Sequence, residues 1–67
     1  MSKKEKYSLI GVDGNAFVVM GYVSKAMKRE HKTQEEINCY IKDAESSNYN
    51  HLIQVSVDML EKLNKSN

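Results

Sequence analysis

Apolar residues fall along this chain in groups whose spacing changes from one group to the next. Tyr7, Leu9, Ile10 and Val12 are short and close to alternating, with Gly11 loosening the end, which predicts a strand over residues 7–12. Asp13-Gly14-Asn15 follows as a turn signal. Gly14 can take positive φ without steric cost, and Asp13 or Asn15 can accept from the free N–H groups of a helix start. A helix is then expected at about residues 15–30. Ala16, Met20, Val23 and Met27 lie at i, i+4, i+7 and i+11, one face of a 3.6-residue period. Phe17, Val19 and Ala26 widen that face and Val18 and Tyr22 sit beside it, so burial on more than one side is expected. Gly21 falls mid-helix, where it costs ~1 kcal/mol relative to alanine unless another backbone approaches closely.

Thr33-Gln34-Glu35-Glu36 reads as a capping box. The Thr33 side chain accepts from the N–H of Glu36, and the Glu36 carboxylate reaches back to the N–H of Thr33. The helix it opens is expected at about 34–46, with Ile37, Tyr40, Ile41 and Ala44 inward and Lys42, Asp43 and Glu45 toward water. Residues 46–50 form a polar connection. The last group supports two periods. Ile53, Val55 and Val57 alternate with Gln54, Ser56 and Asp58 as in a strand. Leu52, Val55, Met59 and Leu63, and likewise Ile53, Val57 and Leu60, repeat at helical spacing. A long run without a turn signal favours a helix at about 50–64, capped by Asn48 or Asn50.

The expected fold is therefore α+β and mostly helical, one short N-terminal strand followed by three helices. Residues 7–64 make a single compact domain, with a flexible basic tail at 1–6 and a flexible tail at 65–67. If 50–64 is helical, the strand has no partner within the chain, and an isolated strand is unstable in water. Pairing with its own copy across a two-fold axis is the simplest closed solution, which predicts a homodimer. The chain's 67 residues point the same way, because so small a domain buries little core without a staple, a metal or a partner.

Charge and cysteine content narrow the function classes. The formal net charge of +1 provides no global drive toward nucleic acid or membrane. A lone Cys39 cannot close an internal disulfide; it suits a reducing cytoplasm and reads as a partly buried, inert thiol. The longest apolar stretch, Ala16 to Met20, is far shorter than the ~18–20 residues of a spanning helix, and no signal-peptide apolar region follows the basic start.

Asp13-Gly14-Asn15-Ala16-Phe17, then Gly21, Val23 and Ala26, then Ser47-Asn48-Tyr49-Asn50-His51-Leu52 resemble a group of small uncharacterised proteins of phages, prophage-like regions and bacterial genomes. The resemblance spans Leu9 to about Leu60, and its core is Asp-Gly-Asn-Ala-Phe with a glycine four residues later. The chain departs from the group at Glu30-His31-Lys32, where glycine is common, and at Asn48-Tyr49-Asn50, where Gly-Asp-Tyr-Asp is common. The resemblance implies no activity. It implies a mobile-element setting in the cytoplasm of a bacterial host, where small non-enzymatic binders and inhibitors of host systems are frequent.

Candidate sites follow from particular residues. Asp13, Gly14 and Asn15 at a helix start could hold a small anion on free N–H groups, although the Gly-x-x-x-x-Gly-Lys-Ser/Thr loop is absent and Asp13 repels phosphate. Tyr22, Tyr49 and His51 are candidates for a partner or subunit surface, since tyrosine joins large apolar area to one hydroxyl; Tyr40 is expected in the core. Lys25, Lys28, Arg29 and Lys32, at i, i+3, i+4 and i+7, form a basic stripe that could contact nucleic acid or merely complement a helix C-terminus. His31, His51 and Cys39 match no zinc spacing, and no nucleophile and base stand in a recognisable pattern, so neither metal, cofactor nor catalysis is expected. The leading expectation is a binding protein that acts by occupancy, on a host protein or on a small anionic ligand held between subunits. A nucleic-acid-binding accessory protein using the Lys25–Lys32 stripe is the alternative.

Overall fold

The computed structural model describes residues 7–65. Three helices pack on one another: α1 at Ala16–Arg29, α2 at Gln34–Glu45 and α3 at Tyr49–Lys65. Each begins where a side chain satisfies an otherwise free backbone donor. The Asn15 side chain accepts from the N–H of Phe17 at 2.8 Å, Thr33 from that of Glu36 at 3.1 Å, and Asn48 from that of His51 at 3.0 Å. Only one half of the expected capping box forms, because no bond from the Thr33 N–H to the Glu36 carboxylate exists among the described residues. The ambiguous last segment is a helix throughout, and all three helices lie close to their expected bounds.

α1 ends in a Schellman motif. The N–H of Lys32 bonds to the carbonyl of Met27 at 2.9 Å and that of His31 to Lys28 at 3.0 Å. The residue in the left-handed position is His31, at φ 67°. Lys28 and Arg29 in the last turn of α1, and Glu35 and Glu36 in the first turn of α2, carry the signs that the helix dipoles favour.

The core is drawn from every helix. Val23, Met27 and Leu63 are fully buried, with Ile37, Tyr40, Ala44, Leu52 and Leu60 around them. Ser56 is also fully buried; its hydroxyl lies 2.6 Å from that of Tyr40, so each has a hydrogen-bond partner. In α1 the buried set is Val19, Met20, Val23, Ala26 and Met27. The expected burial on more than one side does not occur: Phe17 is 77% exposed and Val18 43%, because no further element among the described residues covers them. Gly21 has open space where a Cβ would stand, so no backbone approaches it.

The strand expected over 7–12 does not form, and the described residues contain no strand. Leu9 to Val12 is a turn closed by the Val12 N–H on the Leu9 carbonyl at 3.0 Å, with Gly11 at φ 84°. The positive φ expected at Gly14 thus falls at Gly11. Ahead of the turn the backbone is paired, but to side chains. The Asn64 amide both accepts from the N–H of Tyr7 and donates to its carbonyl, each at 2.9 Å, as a neighbouring strand would. The N–H of Ser8 donates to the Tyr22 hydroxyl at 3.1 Å. The α+β assignment is therefore corrected to all-α. The strand-paired dimer falls with it, since the described residues present no strand edge to pair. The flexible tails expected at 1–6 and 65–67 lie outside the described residues, apart from Lys65, which ends α3.

Candidate functional site

The first turn of α1 and the first turn of α3 meet at one end of the bundle. The Tyr49 hydroxyl donates to the carbonyl of Gly14, and a Cβ on Gly14 would stand 3.4 Å from that hydroxyl. Asp13 accepts from the N–H of Asn15 at 2.9 Å, which fixes the approach to the Asn15 cap. Four of the expected site residues, Asp13, Gly14, Asn15 and Tyr49, are therefore together. Their polar groups are used on one another: the Asn15 side chain already occupies the N–H of Phe17, and the Asp13 carboxylate lies at the mouth of the helix.

Beside them the surface is apolar. A shallow hollow of about 290 Å³ lies between α1, the end of α2 and the start of α3, lined by the apolar Ala16, Phe17, Met20 and Leu52 with Tyr49, and on one side by the polar Glu45, Ser47 and Asn48. Tyr49 is 48% exposed despite its hydrogen bond. By spacing, Phe17 widens the core-facing stripe of α1, which hides its exposure from the sequence.

His51, between Tyr49 and Leu52 in the first turn of α3, turns toward α2. Its Nε2 lies 3.2 Å from the Asp43 carboxylate, an ion pair only when the ring is protonated. Tyr22 is not part of this end. It is half-buried and receives the Ser8 N–H, so it holds the N-terminal segment. Tyr7, which the sequence placed in a strand, does related work: it is buried, and its hydroxyl donates to Glu30 at 2.6 Å, tying that segment to the end of α1. Asn64, which carries most of that attachment, was not singled out from the sequence. Its role depends on a residue 57 positions away, and no local signal announces it.

The basic stripe is partly dispersed. Lys25, Lys28 and Arg29 are exposed on the second half of α1. Lys32 lies beyond the Schellman turn, is half-buried, and lines a different groove, between α2 and α3. Cys39 faces that groove and is exposed, which corrects its expected partial burial. Among the described residues no cluster of three or more histidine, cysteine, aspartate or glutamate side chains could hold a metal ion, and no helix is long and apolar enough to cross a membrane. No family model matches the chain, and no curated protein or solved structure matches it significantly.

Proposed function

We propose that this chain is a small non-enzymatic binding protein that acts by occupancy, its target a protein of the bacterial host, in the manner of the phage and prophage inhibitors that its resemblance implies. The exposed apolar end of α1 carries the reading. A domain this small has little apolar surface to spare, yet Phe17 and Val18 stand in solvent beside the Phe17–Tyr49 hollow. Grouped apolar exposure of this kind marks a contact surface, and two exposed aromatic side chains bordering one hollow have the character of a binding hot spot. A protein target suits this end better than a small anion, because Asn15 and Asp13 already occupy the donors that an anion would use.

The test is a comparison of tagged wild type and Phe17→Asp as baits in a bacterial lysate, with mass spectrometry of what is retained. Phe17 makes no core contact that its loss would leave empty, so the variant is expected to keep its helical circular dichroism. A protein retained in stoichiometric amount by the wild type and lost with Phe17→Asp is the expected result. Retention that is indifferent to the substitution would overturn the assignment of this surface.

A further inference from the structure

A second surface, unconnected with Phe17, has a different chemistry. Between α2 and α3 runs an open groove of about 810 Å³. Its accessible floor is apolar, formed by the half-buried Val55 and Met59 over the buried Met27 and Tyr40. Its described rim is acidic: Glu35, Glu36, Asp43 and Asp58 stand against only Lys32 and Lys62. That excess of carboxylates is local, since the chain as a whole is +1. Asp43 and Asp58 are engaged by His51 and Gln54, whereas Glu35 and Glu36 have no side-chain partner among the described residues.

We infer that this groove receives an amphipathic helix of a partner protein, apolar on the face that enters and rich in lysine or arginine along its flanks. The shape argues for a helix. The groove follows α2 from Glu35 to Asp43, which at 1.5 Å per residue is about 12 Å, the length of roughly two helical turns. Two turns present apolar side chains at i, i+3 or i+4, and i+7 to a floor between two parallel ridges, the common mode of helix-in-groove recognition. Met59, half-buried at the surface of the groove, can adapt to the side chains it meets. The charge argues for a basic helix, because carboxylates on both banks steer cationic flanks and repel acidic ones.

Helix α1 of a second copy does not meet this description. Its basic residues, Lys25, Lys28 and Arg29, lie on the half of α1 whose apolar side chains, Val23, Ala26 and Met27, are consumed in its own core. Its free apolar side chains, Phe17 and Val18, lie about two turns away from those charges. The inference rests on the occupancy reading but uses another surface, so Phe17→Asp leaves this binding unchanged.

The experiment uses a hydrocarbon-stapled helical peptide with leucine at i, i+3, i+4 and i+7 and lysine elsewhere, and a counterpart with glutamate for lysine. Binding is read by fluorescence anisotropy, and by the rate at which Cys39, the chain's single cysteine, reacts with a thiol reagent. The lysine peptide is expected to bind, to weaken as salt rises, and to slow the reaction of Cys39. Cys39→Arg and Asp58→Lys, both at exposed helical positions, are each expected to weaken it about tenfold, with circular dichroism unchanged. Asp58→Asn, which removes charge without bulk, is expected to weaken it less and serves if either other variant misfolds. Failure of the lysine peptide to bind, equal binding of the glutamate peptide, or binding that leaves Cys39 reactive would each overturn the inference. So would protection of Cys39 that grows with protein concentration alone, which would make a second copy the occupant.

Discussion

His31 holds a backbone conformation that side chains with a Cβ seldom adopt. Its φ of 67° completes the stop of α1, a place where glycine is the usual choice. The left-handed region costs an ordinary residue roughly 1–2 kcal/mol, and glycine avoids this while losing more entropy on folding. His31→Gly is therefore expected to stabilise the domain by about 0.5–1 kcal/mol, seen as a higher urea midpoint at unchanged slope. A lower midpoint would show that the imidazole itself contributes. Tyr40 and Ser56 pose a different question. Burial pushes the Tyr40 hydroxyl above its ordinary value of 10.0, and the bond to Ser56 offsets part of that. A value raised in the folded state means the folded protein holds the proton more tightly than the unfolded chain does. The associated stability is present below about pH 10 and is lost as pH rises through the folded value. Urea melts across the alkaline range are expected to show that loss in the wild type and a flatter limb in Tyr40→Phe. At neutral pH, Tyr40→Phe and Ser56→Ala are each expected to cost about 1 kcal/mol, and the double variant less than their sum, since removing both hydroxyls leaves neither unpaired.

At the scale of elements, the segment from Tyr7 to Val12 is the instructive one. Its backbone is paired, but by the amide of Asn64 and the hydroxyl of Tyr22. Amide hydrogen exchange separates these two attachments. Asn64→Ala is expected to release the Tyr7 N–H while the Ser8 N–H stays protected, and Tyr22→Phe to do the reverse; loss of both together in either variant would mean that the segment opens as one unit. The helices could be read from the sequence because their determinants are local. Asn15, Thr33 and Asn48 sit within three residues of the donors they cap, and the apolar stripes of α2 and α3 need only helical period. The N-terminal segment could not. Alternation over six residues describes a strand and an extended segment held by side chains equally well, and the residue that decides between them lies at the far end of the chain. The same limit hid the site. Phe17 fits the apolar stripe of α1 by spacing, and only the absence of a covering element among the described residues leaves it in solvent. Ser56 misled in the opposite direction, since a polar residue in an alternating run suggests an outward position, whereas it is buried against Tyr40.

For the whole molecule, the three helices divide the surface into regions of distinct character: an apolar end around Phe17 and Tyr49, a basic flank at Lys25, Lys28 and Arg29, and an acidic groove between α2 and α3. With no strand among the described residues, pairing of strand edges across a two-fold axis loses its basis. The attachment of Tyr7 to Asn64 has a topological consequence as well. It brings two residues 57 apart in sequence within one side chain's reach, so the described chain is nearly a ring. Tyr7 continues covalently into α1 but meets Asn64 only by hydrogen bonds, so that contact can open without the bundle opening. A circular permutant cut between Ser46 and Ser47, with a short Gly/Ser linker from residue 65 to residue 7, would hold the segment from both sides at high effective concentration. Its Tyr7 N–H would then exchange only when the bundle as a whole unfolds, whereas in the parent chain it exchanges by local release.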